Sequence, residues 1–254
     1  MSRRKTALIT GSSKGIGKAT AIELARQGYD VGINYNSTRE GAEDTAQKAQ
    51  ALGAKTCVIK ADISDVSQTN DMFDKFRQEM GDIDLFVNNA GLDGVVPFLD
   101  TTPEIFDKLM GTNFRGAYFA VQRAAKEMIA QNNGGVIVIV SSIQAEGIWP
   151  DSSVYGSVKA ALTKFSKHAA MELAPHKIRV AAIHPGYIDV GWNPADEFFV
   201  AQNRIPQQHF GKPQNIADMI AFIASDKAYY TTGAVFNVDG GVLLPCPSEN
   251  SYFN

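Results

Sequence analysis

Tyr155 and Lys159 stand four residues apart in Tyr155-Gly156-Ser157-Val158-Lys159, a spacing that places both side chains on one face of a helix. An ammonium beside a phenol favours the phenolate. The pair is therefore expected to bring a tyrosine that ordinarily titrates at about 10 towards a range useful for proton transfer at neutral pH. The same spacing also occurs in helices where the ring is core and the amine is solvated. What separates the two readings is whether the rest of the chain brings a reactant to the pair.

A second chemistry-bearing stretch lies near the start of the chain. Thr6-Ala7-Leu8-Ile9-Thr10 reads as a short strand, followed at once by Gly11-Ser12-Ser13-Lys14-Gly15-Ile16-Gly17. A helical pattern then begins, with Ile16, Ala19, Ile22 and Ala25 on one side and Gly28 as its stop. Glycines between a strand and a helix let the backbone approach a pyrophosphate, and the helix N-terminus offers it unpaired N–H groups. Further stretches of polar or turn residues end strand-like runs in the same way. Asp84-Leu85-Phe86-Val87 runs into Asn88-Asn89-Ala90-Gly91, and the β-branched run Gly135–Val140 ends at Ser141-Ser142. Ile178–Ile183 leads to His184-Pro185-Gly186-Tyr187-Ile188-Asp189-Val190.

The remaining elements follow from periodicity. Asp30–Tyr35 and Thr56–Lys60 read as strands, and helices are expected over Thr38–Leu52, Ser67–Met80, Pro103–Gln131, Val154–Leu173 and Asn215–Ala224. Asp62, with Ser64 and Asp65, is expected to cap the helix that starts near Ser67. A mid-helix Asn113 is unfavourable by propensity and is either a surface amide or there for a reason. Ala234–Gly241 reads as a last strand and turn. Seven strands alternating with helices predict an α/β, doubly wound parallel sheet with helices on both faces, in a single domain over 1–254. Such folds bind ligands at the carboxyl ends of the strands. Gly191–Pro213 is loop-like with a short helix, and about 187–213 is expected to form a substrate lid. Trp192 and Phe198-Phe199 within it read equally well as packing. The tail 245–254, with Tyr252 and Phe253, either packs on a partner or frays.

Composition narrows the class. A net charge of −3, from 24 basic and 27 acidic residues, provides no field for a nucleic acid or an anionic membrane. No stretch approaches the roughly 20 apolar residues of a membrane span, and the basic start Met1–Lys5 runs directly into a strand rather than an apolar signal segment. Two distant cysteines fit a reducing cytoplasm, and the four histidines show no metal-ligand spacing. A small-molecule substrate, no metal and a cytoplasmic location are the expectations.

In the form Thr10-Gly11-x-x-x-Gly15-Ile16-Gly17, with Asn88-Asn89-Ala90-Gly91, a serine thirteen residues before Tyr155, Tyr155-x-x-x-Lys159 and Pro185-Gly186, the chain resembles the short-chain dehydrogenase/reductase family over residues 6 to 241. The resemblance implies a Rossmann fold and a catalytic set of Asn113, Ser142, Tyr155 and Lys159. Asn113 would bend its helix and hold a relay water, Ser142 would bind the carbonyl oxygen, and Lys159 would lower the Tyr155 pKa and hold the nicotinamide ribose. It implies cofactor contacts from Gly11, Ser13, Lys14, Gly15, Ile16, Gly17, Asn34, Asp62, Ile63, Asn89, Ala90, Gly91, Pro185, Gly186 and Ile188, besides Tyr155 and Lys159. Asp62 and Ile63 would contact the adenine edge, so that Asp62 has a binding reading beside its capping one. Where relatives place an acid that reads the ribose of NAD, this chain has Asn34, Tyr35, Asn36, Ser37, Thr38 and Arg39. With Lys14 in the glycine turn, this favours NADP(H) and leaves NAD(H) open, unless Lys14 and Arg39 are merely solvated charges. Val190 stands where many relatives carry a threonine that helps bind the carboxamide or a phosphate.

Asp93, Gln144, Glu146, Trp149, Tyr187 and Trp192 fall beside these motifs and are the substrate candidates. Their polarity suits a sugar or related hydroxy-carbonyl compound, and three stretches are similar to bacterial glucose-type 1-dehydrogenases. The alternative is a 3-oxoacyl-[acyl-carrier-protein] reductase. Against it, Ala130-Gln131-Asn132-Asn133 carries no basic residue to dock an acidic carrier. A catalytically silent nucleotide sensor is a third reading. By the same resemblance the protein is a homo-oligomer, a tetramer.

Overall fold

The computed structural model describes residues 3–191 and 205–244. Seven strands, β1 (Thr6–Ile9), β2 (Asp30–Tyr35), β3 (Thr56–Lys60), β4 (Leu85–Asn88), β5 (Gly135–Val140), β6 (Ile178–Pro185) and β7 (Val235–Val238), form one sheet in the order β3-β2-β1-β4-β5-β6-β7. Every neighbouring pair is parallel. The strand helices are α1 (Gly15–Arg26), α2 (Arg39–Gln50), α3 (Val66–Met80), α4 (Pro103–Met110), α5 (Ala117–Gln131), α6 (Ser153–Leu173) and α7 (Pro213–Ala224).

Successive strand side chains point to opposite faces, and this splits the core in two. Ala7, Ile9, Val31, Ile33, Leu85 and Val87 pack with Leu24 of α1, Ala42 and Ala46 of α2, and Ile216 and Ile220 of α7. On the other face Leu8, Phe86, Ile137 and Ile139 pack with Met72, Phe73 and Phe76 of α3, Val121 and Met128 of α5, and Leu162 of α6. Helices on both faces explain why the strands read as nearly continuous apolar runs. The chain winds outward in both directions from β1, so the crevice between the carboxyl ends of β1 and β4 is the switch point at which such sheets hold ligands.

The expected single helix over 103–131 is interrupted. Between α4 and α5 the backbone over Gly111–Gly116 is π-helical, and Asn113 lies inside it. Its side chain accepts from the Leu92 N–H at 2.7 Å and donates to the Leu92 carbonyl at 2.8 Å, so a widened turn carries a tertiary clamp instead of a surface amide. The cap of α3 is Asp65 alone, which accepts from Ser67 N at 2.8 Å and Gln68 N at 3.3 Å. Asp62 is occupied elsewhere. Over 205–212 the chain forms turns and bends with one bridge between Ile188 and Gly211. The rest of the expected lid, including Trp192, and the tail 245–254 lie outside the described residues. Among those residues no helix is long and apolar enough to cross a membrane.

Candidate active site

The glycine turn is held by its neighbours. Gly11 takes a φ of +63°, and a Cβ on it would stand 2.9 Å from Ala90 Cα. A Cβ on Gly17 would collide with the Gly11 carbonyl and lie 2.6 Å from Asn89 Nδ2. Below the turn, Thr10 Oγ1 accepts from the N–H groups of Asn89 and Ala90 at 2.9 and 3.0 Å, and Asn89 Nδ2 donates to the carbonyls of Thr10 and Gly11 at 2.9 and 3.1 Å. Thr10 is a bracing residue that reads in the sequence only as a strand end. Gly17→Ala is expected to cost about 1–3 kcal/mol through overpacking. It should register as a lower melting temperature and weaker NAD(P)H binding by fluorescence titration.

Lys14 caps α1 without a side-chain hydrogen bond, which leaves the first-turn amides of Gly15 and Ile16 without partners among the described residues. They face a cavity of about 450 Å³ lined by Gly11, Ser13, Lys14, Asn34–Thr38, Asp62, Ile63, Asn89–Asp93 and Val190. This donor-rich cradle fits a dinucleotide with its pyrophosphate on the helix N-terminus. The expected contacts do not all point into it. Asn34 is 1% exposed. Its Oδ1 accepts from Gly11 N at 3.0 Å and its Nδ2 donates to the Ala61 carbonyl at 3.1 Å, so its amide holds the turn rather than reaching for a ribose. Asp62 accepts from Ser64 N, Ser64 Oγ and Asn36 Nδ2 at 2.9, 2.7 and 3.0 Å. Burial pushes its carboxyl up, but these hydrogen bonds outweigh burial and hold it below the usual range. Arg39 is paired with Glu43 at 2.8 Å, whereas Lys14 is exposed with no ion pair among the described residues. Ile188 is buried and bridged to Gly211, and Gly186 donates to the Val238 carbonyl at 3.0 Å.

Tyr155 and Lys159 lie on α6 as expected, with the Lys159 Nζ 5.5 Å from the centroid of the Tyr155 ring. The expected lowering of the Tyr155 pKa is corrected by the geometry. Burial pushes the phenol up to about 12, the Asp93 charge adds to this, and a hydrogen bond with Ser142 opposes it. The ammonium sits over the ring face, where it is no match for desolvation of the phenolate. Burial likewise pushes Lys159 down to about 8, against the pull of Asp93. Lys159 Nζ donates to the Val140 carbonyl at 3.3 Å, and it borders Gly91 together with Asn113 Oδ1.

Beneath this cluster is a polar brace in which Ser141, set beside Ser142 as the structural hydroxyl of the pair, is joined by Thr163 and His184. Ser141 Oγ donates to the Lys159 carbonyl at 2.9 Å. The Thr163 hydroxyl lies 2.9 Å from that carbonyl, 3.0 Å from Ser141 Oγ and 2.8 Å from His184 Nε2. Burial lowers the His184 pKa, opposed by Glu146, whose Oε1 is 3.3 Å from His184 Nδ1 without hydrogen-bond alignment. The only sequence signal for the brace was the cluster of hydroxyls around the Tyr-Lys turn.

Beside the nucleotide cradle a second cavity of about 540 Å³ is lined by Asp93, Gly94, Ser142, Gln144, Trp149, Tyr155, Gly186 and Tyr187. Four of the six substrate candidates thus share one cavity with Tyr155. Trp149 Nε1 donates to Tyr187 Oη at 2.7 Å and ties two of its walls together. Glu146 instead lines an adjoining cavity and faces His184; Trp192 is outside the described residues. Asp93 lines both the cradle and the substrate-side cavity. Among the described residues no group of His, Cys, Asp or Glu converges as a metal site.

A nucleotide cradle at the switch point of a doubly wound sheet, opening onto a tyrosine-bearing cavity, defines a dinucleotide-dependent oxidoreductase. A family model described as enoyl-(acyl carrier protein) reductase matches residues 11–243. L-rhamnose 1-dehydrogenase (NAD(P)(+)) of Azotobacter vinelandii is 38% identical over 248 residues, 94% of this chain and 97% of that protein. The 3-oxoacyl-[acyl-carrier-protein] reductase FabG of Staphylococcus aureus is 34% identical over 247 residues, 96% of this chain and all of that one (100%). The crystal structure of acetoin dehydrogenase YohF from Salmonella typhimurium superposes with a TM-score of 0.91 at 34% identity, covering 97% of this chain and 99% of that one. The chain belongs to the short-chain dehydrogenase/reductase family, and membership implies a nicotinamide dinucleotide cofactor.

Proposed function

We propose that the protein interconverts a carbonyl and an alcohol on a small polar compound, a sugar or related hydroxy-carbonyl, with Tyr155 giving the proton to the reacting oxygen or taking it back. The observation that carries this reading is the convergence of Tyr155, Ser142 and Lys159 where the nucleotide cradle meets the second cavity. The bound nicotinamide supplies or accepts the hydride. Ser142, which lines the same cavity as Tyr155, shares the reacting oxygen. Lys159 presents its ammonium between Gly91 and Tyr155, on the side where a nicotinamide ribose would lie. Asn113 clamps Leu92 and so fixes the backbone that separates the two cavities. The names of the acetoin and rhamnose dehydrogenases support a hydroxy-carbonyl substrate.

The FabG relative favours a second reading, a 3-oxoacyl thioester substrate. Against it, residues 130–133 carry no base, and Gln131 is used up on the Ile83 backbone. Oxidation of NADPH and of NADH, each followed with acetoin, an aldose panel and acetoacetyl thioester, tests the assignment. Turnover of acetoin or an aldose is expected. Turnover confined to the thioester favours the second reading, and tight NADPH binding with no turnover contradicts both.

NADP(H) preference rests on Lys14, since no unengaged acid stands at the end of β2 and Arg39 is occupied by Glu43. Lys14→Ala is expected to lower the NADPH-over-NADH ratio of kcat/KM about fivefold, the scale of an exposed ion pair of about 1 kcal/mol. An unchanged ratio removes Lys14 from cofactor selection.

A further inference from the structure

The brace under the Tyr155–Lys159 turn has more contacts than protons. Ser141 Oγ donates to the Lys159 carbonyl. The single Thr163 hydroxyl proton has three acceptors within reach, that carbonyl at 2.9 Å, Ser141 Oγ at 3.0 Å and His184 Nε2 at 2.8 Å. Which one it takes depends on the histidine. The ring is fully buried at the end of β6, where burial, with the ammonium groups of Lys159 and Lys167, lowers its pKa against the pull of Glu146 and Asn237. It is therefore neutral at pH 7 and carries one proton, on either nitrogen.

Glu146 reaches the ring from the segment after β5, with half of its side chain exposed and its Oε1 3.3 Å from His184 Nδ1. A carboxylate only accepts. With the proton on Nε2, two lone-pair-bearing atoms would face each other at that distance, although Nδ1 is sealed from solvent and has no aligned partner among the described residues. With the proton on Nδ1 the same contact is attractive. Asn237, opposite His184 in the β6–β7 register, does not decide between the two, since an amide offers either an oxygen or an NH2. We infer that Glu146 is a positioning residue: its carboxylate holds the His184 proton on Nδ1, which makes Nε2 an acceptor, commits the Thr163 hydroxyl to it and leaves the Lys159 carbonyl to Ser141. The brace then has one arrangement of hydrogens. It ties the end of β5, where Ser142 stands, to the α6 turn that carries Tyr155 and Lys159, and so holds in one register the groups that serve the reacting oxygen. That last step rests on the carbonyl–alcohol reading above, whereas the tautomer follows from the brace itself.

Tautomer and rate are read separately. Glu146→Leu removes the carboxylate at a half-exposed position, and Glu146→Gln keeps the shape and an oxygen that can still take the Nδ1 proton. Long-range 15N–1H correlation NMR of the cofactor-free protein at neutral pH distinguishes the two ring nitrogens. The His184 signals are identified among those of the four histidines by their loss in His184→Asn. Wild type should carry the proton on Nδ1, Glu146→Leu should move it to Nε2, and Glu146→Gln should keep it on Nδ1. On the ketone or aldose that the panel above identifies, Glu146→Leu should lower kcat about fivefold, the scale of one net hydrogen bond, with KM for NAD(P)H nearly unchanged. Glu146→Gln should recover most of that loss. A wild-type ring protonated on Nε2, or one tautomer shared by wild type and Glu146→Leu, overturns the inference. So does a moved proton with kcat within about twofold of wild type. The wild-type tautomer is read without any Glu146 variant, so a poorly folding substitution does not remove the test. A wild type that turns over nothing in the panel overturns the carbonyl–alcohol reading and the positioning role with it, while the NMR result still decides the tautomer.

Discussion

Tyr155→Phe is expected to lower kcat for carbonyl reduction by about 100-fold or more, the loss typical of a positioned acid, with NAD(P)H affinity and melting temperature nearly unchanged. The substitution deletes one oxygen. The ring keeps its place under the Lys159 ammonium, so the packing at the start of α6 survives while the proton donor beside Ser142 is lost. Because burial pushes the phenol up to about 12, the group is protonated throughout the neutral range and already in the form that reduction requires. Oxidation requires the phenolate, so the wild-type oxidation rate should climb as pH rises towards that value. Retention of more than about a tenth of wild-type turnover by the variant, measured in steady state, would remove Tyr155 from the proton-transfer step.

Lys159→Met should separate activity from stability. Burial pushes the lysine down from 10.5 to about 8, and the side chain is only 5% exposed. The charged form is therefore disfavoured in the folded protein by a few kcal/mol in order of magnitude. The sign follows from proton counting. Between about 8 and 10.5 the unfolded chain holds a proton that the folded chain has released, so wild-type stability rises with pH across that window. Below about 8 both states are charged and the penalty is fully present. Replacing a buried cation by an apolar side chain of similar length commonly stabilises. The cofactor-free variant should melt above wild type at neutral pH, and the difference should shrink as pH rises from 8 towards 10.5. Turnover should fall by about 100-fold, in line with removal of a catalytic group, and wild-type reduction should weaken as pH rises through about 8 and the cation is lost. A variant that melts below wild type at every pH would mean that the Val140 hydrogen bond and the Asp93 attraction outweigh desolvation.

The strands were legible because each is a short apolar run bounded by turn residues, and burial on both faces makes such runs continuous. Helix ends were legible to within a few residues wherever a polar cap or a glycine marks them, as Asp65 does for α3. The break at Asn113 was legible only through the family resemblance, which has that residue bend its helix, because a single widened turn is too short to disturb the hydrophobic pattern and is held by Leu92, a partner outside the helix. The same limit applies to the site. Helical spacing brought together Tyr155 and Lys159, since local geometry fixes that relation, and the family resemblance joined Ser142 and the glycine turn to them. The ionisation of the pair depends on burial, a tertiary quantity, and there the expected sign for Tyr155 was reversed. Asn34 was assigned by its match to the family's ribose-reading position and Glu146 by proximity in sequence, whereas their side chains turn to Gly11 and His184, partners that only folding brings near.

Isotope transfer tests the central claim most directly. Wild-type protein is supplied with NADPH dideuterated at the hydride-bearing ring carbon, together with acetoin, and the product is examined by mass spectrometry and NMR, with Tyr155→Phe run in parallel. A diol with one deuterium on the former carbonyl carbon, formed by wild type and barely by the variant, is the expected result. A wild type that binds the cofactor tightly and transfers no deuterium to acetoin, an aldose or a thioester would contradict it.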